Sequence, residues 1–172
     1  MVCYPRVRKE GDIVKNIKLA RIDSRLSHGK VVSYWTDFLK LDTVVIANDR
    51  VASDDFEQAV MNLTIPEGIK AHYLKLDQVK TYVENNIDKD IFLIVESPRD
   101  LDELIKKENE IEKVNIGIIH LSKGKKLLTE EVAVDEKDLE IFSKLVSKGT
   151  EVSIQLSPFA CKRDLSDFFI EA

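Results

Sequence analysis

The sequence predicts an α/β protein of three layers, α/β/α, in which a mainly parallel sheet of about six or seven strands lies between helices. Short apolar runs rich in β-branched residues alternate about five times with amphipathic stretches of helical period, as they do in βαβ units. Several runs are apolar on both faces, which is typical of buried parallel strands. The strand candidates are residues 16–22, 43–48, 69–75, 91–96, 114–120 and 151–156.

The first two helices are predicted from spacing and from turn residues. The stretch 29–40 carries apolar residues at helical spacing, so we expect Trp35 in the core rather than in a ligand site. The stretch 53–63 begins with Ser53 as a candidate N-cap and is followed by a Pro-Glu-Gly turn at 66–68.

Two further helices carry clear start and stop signals. The stretch 97–108 has Ser97 as its N-cap, with proline at the first helical position. The stretch 134–149 starts at Asp135 and ends at Gly149, a residue suited to a left-handed cap.

The chain of 172 residues has the length of one domain with a sizeable core. We assign residues 16–172 to that domain and 1–15 to an amino-terminal extension. Residues 121–134 interrupt the alternation with a Lys-Gly-Lys turn, so an inserted hairpin or small antiparallel strand is expected there.

Composition narrows the classes of function. The net charge of −5 and pI of about 5.3 argue against nucleic acid as a partner. The sequence lacks an apolar run long enough to span a membrane and a signal-peptide core, which predicts a cytoplasmic protein. Cys3 and Cys161 form no metal-binding or redox pattern.

The stretch "RIDSRLSHGK", residues 21–30, is the strongest candidate for chemistry. It leaves the first strand at the carboxyl edge of the sheet, where ligands bind in open α/β folds. His28 stands there beside the start of a helix, whose free N–H groups favour an anion. A neutral imidazole is nucleophilic, so His28 can accept a phosphoryl group.

The neighbouring residues suit the handling of a phosphate. Arg21 and Arg25 offer bidentate donor forks. Asp23 has two open roles, because it can fix an arginine or orient the imidazole tautomer of His28. Further contributions are expected from the hydroxyls of Ser24 and Ser27, from close backbone approach at Gly29 and from the charge of Lys30.

The other histidines have weaker claims. His72 lies within a strand and is interpreted as structural, whereas His120 ends a strand at the same edge and is a second candidate for the site. A lone histidine in a charged loop is often only solvated or capping, which stays the alternative for His28. The sequence holds no glycine-rich dinucleotide motif and no P-loop.

Segment "ARIDSRLSHGKVV" resembles the phosphorylation site of the IIB components of the mannose/fructose/sorbose class of the bacterial phosphotransferase system, usually R-[IV]-D-x-R-L-I-H-G-Q-V. Four later segments resemble the family in the same order, so the likeness covers roughly residues 16–158. They are "VVIANDRVASDD", "ESPRDLDELI", "NIGIIHLSKGKKLL" and "AVDEKDLEIFSKLVSKGTEVSIQLSP".

The resemblance implies a protein-phosphohistidine–sugar phosphotransferase. His28 would take a phosphoryl group on Nδ1 from a phosphohistidine of a cytoplasmic IIA partner, with Arg21 and Arg25 flanking it. It would pass the group to a sugar of the mannose, fructose, sorbose or amino-sugar class, held by membrane IIC and IID subunits. The resemblance implies no metal, nucleotide or other cofactor, and a cytoplasmic protein peripherally associated with the transporter. A homodimer is left open.

The chain departs from the family pattern at four places. Ser27 replaces an apolar residue and either adds a donor or weakens packing, while Lys30 replaces glutamine and adds charge that bears on phosphate binding or partner choice. Ile118 stands where a second glycine is common. Residues before the first strand exceed the usual length, and one hypothesis places the translation start at Val14.

Two rival interpretations are carried forward. One is a receiver-like signalling domain in which Asp49, near the carboxyl end of the second strand, is phosphorylated with Mg²⁺. The other is a regulatory binding module that uses the same fold without catalysis.

Overall fold

The computed structural model describes residues 16–107 and 111–169. The predicted extension of residues 1–15, with Cys3 and Val14, lies outside the described residues. The strands are β1 (Ile17–Asp23), β2 (Thr43–Ala47), β3 (Lys70–Leu74), β4 (Ile91–Val95), β5 (Lys113–Ile118), β6 (Lys126–Leu127), β7 (Ala133–Val134), β8 (Glu151–Ile154) and β9 (Arg163–Asp164). The helices are α1 (Gly29–Leu39), α2 (Asp55–Asn62), α3 (Val79–Asn85), α4 (Pro98–Lys106), α5 (Glu136–Ser147) and α6 (Ser166–Phe169), with 3₁₀ turns at Val51–Ser53 and Leu76–Gln78.

Seven strands form one sheet in the order β3-β2-β4-β1-β5-β8-β9. All neighbours pair in parallel except β9, which runs antiparallel to β8. Strands β6 and β7 form a separate antiparallel pair within the predicted insertion. The mainly parallel α/β sheet is therefore confirmed, and β1 lies near its centre, between β4 and β5.

Alternating side chains of the strands pack against helices on both faces of the sheet. On one face Leu93 packs with residues of α3, α4 and α5, such as Phe142. On the other face Phe92 packs with residues of α1, including Trp35, and with the half-buried Met61 of α2. This arrangement confirms the three layers and the core position of Trp35.

The helix boundaries agree with the predicted caps at three positions and disagree at one. Ser97 and Asp135 are N-caps, and Gly149 adopts a φ of +86°. The prediction of Ser53 as the cap of α2 was wrong, because Asp54 accepts the Glu57 N–H at 3.0 Å. Ser53 instead closes a 3₁₀ turn, where its hydroxyl donates to the carbonyl of residue 49.

Three elements were not predicted from the sequence: α3, β9 and α6. Helix α3 is short and buries two valines, Val79 and Val83, too few to give a clear helical period. Strand β9 has two residues, both exposed. None of the helices in the described residues has the length and apolar character that crossing a bilayer requires.

The capping box of α4 gives a test of the fold. Ser97 Oγ accepts the Asp100 N–H at 3.3 Å, and the Ser97 N–H donates to Asp100 Oδ2 at 2.9 Å. We expect Ser97→Ala to lower the free energy of unfolding by about 1 kcal/mol, because α4 loses the side-chain hydrogen bond that caps its amino terminus. Urea unfolding measures it, with Ser147→Ala, whose hydroxyl is exposed at the end of α5, as the control. Equal losses in the two variants would contradict the assignment.

Candidate functional site

The loop between β1 and α1 has a strained conformation. Leu26 donates its N–H to the carbonyl of Asp23 at 2.9 Å, which closes a turn. Its φ of +54° lies in the left-handed region that side chains rarely adopt. The Leu26 side chain is nevertheless almost fully buried in the cluster beneath α1. This burial holds the turn and sets where Ser27 and His28 emerge from it.

His28 is the N-cap of α1 and is exposed. Its carbonyl accepts the N–H groups of Val31 and Val32 at 2.8 and 3.1 Å, while its imidazole makes no capping hydrogen bond. The first turn of α1 holds no acidic residue to neutralise the positive end of the helix. The imidazole therefore stands in solvent at a helix terminus that attracts anions.

Arg21 lies fully buried at the middle of the sheet. Its Nη2 forms an ion pair with Asp23 at 2.9 Å, and Nε donates to the same oxygen at 3.3 Å. Nη1 donates to the Asn115 side chain and, at 3.1 Å, to the carbonyl of Gln155. Nη2 also reaches the carbonyl of Leu156 at 3.2 Å. All five N–H groups of a guanidinium thus have acceptors.

This result changes the role expected of Arg21. The sequence suggested a fork for phosphate, but a phosphate contact would require Arg21 to break one of its buried hydrogen bonds. The guanidinium is closely enclosed, since a Cβ at Gly117 would lie 2.1 Å from Nη2. The ring of Trp35 lies 5.9 Å from Cζ, within cation–π range. Arg21 therefore links β1 to β5 and to the backbone after β8 through buried hydrogen bonds.

Asp23 joins the two arginines. Its Oδ1 accepts the Arg25 backbone N–H and Nε, each at 3.1 Å, and Oδ2 accepts Arg25 Nη2 at 3.2 Å. Of the two roles left open for Asp23, the geometry corresponds to the fixing of an arginine, since the hydrogen bonds of this carboxylate within the described chain go to Arg21 and Arg25.

The carboxylate of Asp23 is held in its charged form. Burial raises the pKa of Asp23, but hydrogen bonds from Arg25 and the charge of Arg21 outweigh it, so that the pKa lies below its usual value. Burial also lowers the pKa of Arg21, against the opposing effect of Asp23, yet an arginine stays protonated at physiological pH. The result is an ionised anchor for Arg25, whose side chain remains about one-third exposed.

Ser24 ties the loop to the end of β5. Its N–H donates to the carbonyl of Ile118 at 2.8 Å. Its hydroxyl accepts the backbone N–H of His120 at 3.3 Å. His120 therefore lies beside the loop, at the edge of the sheet where the sequence placed it.

Ser27 and Gly29 face the end of α2 rather than open space. Ser27 Oγ is 3.5 Å from Thr64 Oγ1. A Cβ at Gly29 would lie 2.9 Å from the Thr64 carbonyl oxygen, so the absence of a side chain there permits close packing of α1 against the segment after α2. Lys30, the next residue of α1, is exposed.

Asp49, the candidate of the receiver-like interpretation, and His72, interpreted as structural, both have contacts outside the loop between β1 and α1. Asp49 Oδ1 accepts the N–H of Leu76 at 2.8 Å, and no group of three or more His, Cys, Asp or Glu suited to a metal occurs in residues 16–107 and 111–169. His72 lies on the edge strand β3, against the ring of Tyr82 at 5.0 Å.

Four residues that shape the site were missed at the sequence level: Leu26, Thr64, Asn115 and Gly117. Leu26 matches the family motif, and Asn115 and Gly117 appear as a polar residue and a glycine inside the apolar run "VNIGII". That pattern indicates a buried partner for a polar group, but it does not name Arg21 as that partner.

Comparison with known proteins gives consistent matches. The family model described as "PTS system sorbose subfamily IIB component" matches residues 17–172. The N-acetylgalactosamine-specific phosphotransferase enzyme IIB component 2 of Escherichia coli (strain K12) is 34% identical over 144 residues, which are 83% of this chain and 92% of that protein. The mannose-specific EIIAB component of the same strain is 31% identical over 141 residues, 81% of this chain but 44% of that longer protein.

Solved structures match over nearly their whole length. The IIBSor domain of the sorbose permease from Klebsiella pneumoniae has a TM-score of 0.84 at 26% identity, covering 91% of this chain and 98% of that one. The N-acetylgalactosamine-specific IIB component 1 from Escherichia coli has a TM-score of 0.82 at 32% identity, covering 87% and 99%.

The buried ion pair makes a prediction about stability and pH. Asp23→Asn leaves the Arg21 charge uncompensated, so we expect a loss of about 3–5 kcal/mol in the free energy of unfolding at neutral pH. Because the folded pKa of Asp23 is lowered, its contribution is complete above the unfolded value of about 3.9 and is lost as the pH falls further. The gap between wild type and variant should therefore narrow below about pH 4.

Denaturant unfolding across pH measures this gap. The control is Asp37→Asn, which removes an exposed partner of Lys40. We expect this variant to lower the free energy of unfolding by about 0–1 kcal/mol. Similar stabilities for Asp23→Asn and Asp37→Asn would show that the buried pair does not anchor the loop.

Proposed function

Because this chain belongs to the sorbose subfamily of IIB components of the phosphotransferase system, we propose that His28 accepts a phosphoryl group from a phosphohistidine of a IIA protein or domain. It then passes the group to a sugar that enters through membrane IIC and IID subunits. Residues 16–172 form the IIB domain in this proposal, which acts in the cytoplasm at the face of the transporter.

The observation that carries the proposal is the placing of His28. Its imidazole is exposed, takes no part in capping and stands at the amino terminus of α1, and Arg25, three residues earlier in the same loop, is held in place by a buried carboxylate. A phosphoryl acceptor needs a nucleophile open to a partner and donors around the transferred oxygens. In this proposal His28 is the nucleophile, and Arg25 of the same loop is the donor.

The transfer balances without a cofactor. A lone pair of the His28 imidazole attacks the phosphorus while the bond from phosphorus to the donor nitrogen breaks, and the donor imidazole keeps that electron pair. In the second step a sugar hydroxyl attacks the same phosphorus, the bond to His28 breaks, and the hydroxyl proton leaves to a base or solvent. No oxidant, nucleotide or metal enters either step.

Charge on the phosphoryl oxygens is met by the protein. The free N–H groups at the amino terminus of α1 favour an anion bound there. Arg25 uses Nε and Nη2 for Asp23, and its Nη1 group, which no acceptor within the described chain contacts, is left for a phosphoryl oxygen. We propose Arg25 as the phosphate ligand, and Arg21 with Asp23 as the residues that position it.

Phosphorylation of His28 is the direct test of this function. Incubation with a phosphorylated IIA protein should label wild type with phosphate that survives alkali and is lost in acid, and His28→Ala should stay unlabelled. His120→Ala, which removes an exposed imidazole near the same loop, is the control and should label like wild type. An unlabelled wild type, or a labelled His28→Ala, would refute the proposal; alkali-labile label would favour an aspartyl phosphate.

Arg25 gives a second prediction. Arg25→Ala should reduce the rate of transfer to His28 by about 10²-fold, because a charged donor to the transferred oxygens is lost. Rapid-quench measurement of labelling checks this rate. Arg99→Ala removes an exposed arginine that pairs with Asp135, the N-cap of α5, and should change the rate less than twofold, within the roughly neutral range of surface substitutions. Equal rates in both variants would exclude Arg25 as a ligand.

A further inference from the structure

Helix α2 exposes an apolar stripe to solvent. Phe56, Val60 and Leu63 are 79%, 48% and 85% exposed, and Ala59 between them is exposed as well. Their spacing of i, i+3, i+4 and i+7 places them on one side of the helix. None of the residues of α2 itself is fully buried. We refer to Phe56, Ala59, Val60 and Leu63 as the α2 stripe.

A stripe of this kind normally faces a core. Here the opposite, half-buried side of α2 packs on the sheet through Met61. Isolated apolar residues on a surface need no explanation, but a contiguous patch indicates contact with another molecule.

The α2 stripe ends beside the loop between β1 and α1, which carries His28. Leu63 is followed by Thr64, whose carbonyl would lie 2.9 Å from a Cβ at Gly29 and whose hydroxyl is 3.5 Å from that of Ser27. Residues on both sides of His28 in the sequence therefore contact the end of α2. From there the stripe extends about 10 Å along the helix, at 1.5 Å per residue.

The usual size of a protein interface indicates how far a protein that donates a phosphoryl group to His28 extends over the surrounding surface. A phosphohistidine must come within a few ångströms of His28 to transfer its phosphoryl group. A specific interface buries about 800 Å² on each partner, which corresponds to a disc of roughly 16 Å radius. A donor protein centred on His28 would therefore extend beyond the loop, and the α2 stripe begins next to Thr64, which the loop contacts.

We propose that the α2 stripe is the docking surface of the phosphoryl donor, a IIA protein that carries an apolar patch beside its phosphohistidine. This inference rests on the proposed function of His28. The stripe is small and is bordered by the exposed carboxylates Asp54 and Asp55, as suits a transient contact with a polar rim rather than a permanent apolar interface. A carrier must release its donor before it meets the sugar, and a surface of this size allows that release.

The test separates binding of the donor from chemistry. Phe56→Ser and Leu63→Ser should each raise the KM for phosphorylated IIA about tenfold, as loss of a central apolar contact does, while kcat stays within twofold of wild type. Serine adds no charge that would repel the phosphate. The matched control is Ile87→Ser, because Ile87 is an exposed apolar residue (39% exposed) that lies in the turn between α3 and β4, at the opposite, amino edge of the sheet; its KM should equal that of wild type.

The remaining outcomes decide between occupants. If wild type is labelled and the variants keep its KM, the docking surface is refuted while the function of His28 stands; if no IIA labels wild type, both fall. A dimeric wild type that becomes monomeric in Leu63→Ser, with KM unchanged, would assign the stripe to a second copy and overturn the proposal. An unchanged KM with reduced sugar phosphorylation in vesicles carrying IIC and IID would assign it to the membrane subunits, and would also overturn it. Thermal unfolding of each variant verifies that the exposed substitutions leave the fold intact.

Discussion

The buried ion pair of Arg21 and Asp23 is the constraint on which the site depends. Removing two charges from water costs several kcal/mol per ion, roughly, and the pair is tolerated only where hydrogen bonds satisfy both groups. Here the guanidinium bonds to β5 and to the backbone after β8 as well as to Asp23. The network joins strands that are distant in the sequence, and so it gives the carboxyl edge of the sheet one definite geometry.

Along the loop, the residues become progressively more exposed with distance from this ion pair. Asp23 is inaccessible to solvent, Arg25 is partly exposed and His28 is open. Leu26 adds an apolar anchor that compensates a strained backbone. A flexible loop would have to be ordered each time a partner arrives, at a cost in conformational entropy. Because this loop is held before any partner binds, the ordering cost has already been met in folding.

The fold was largely predictable because its signals are local. Buried parallel strands and capped helices can be read within a window of several residues, and the strands of the main sheet, except β9, appeared in the sequence. Ser53 and α3 were exceptions because a 3₁₀ turn and a short helix with two buried valines depend on tertiary packing. The proposed phosphoryl acceptor could also be identified from the sequence, since His28 follows a strand at the carboxyl edge. The burial of Arg21 could not, because its partner Asn115 lies 94 residues away and an arginine carries no sign of whether it will face solvent or a carboxylate.

The residues that depart from the usual family motif lie in the more exposed part of the loop. Four residues match the motif and form the largely buried, hydrogen-bonded part of the loop: Arg21, Asp23, Arg25 and Leu26. Ser27 and Lys30 differ from it, and both lie outward of that part. Ser27 contacts Thr64 at the end of α2, and Lys30 is exposed on the first turn of α1. A change in the buried network would alter the position of Arg25 and with it the phosphoryl transfer that we propose. A change at the rim leaves that geometry intact and alters the surface that a partner meets. Under the proposed function, the two substitutions therefore bear on which partner proteins this surface accepts, and not on whether His28 can accept a phosphoryl group.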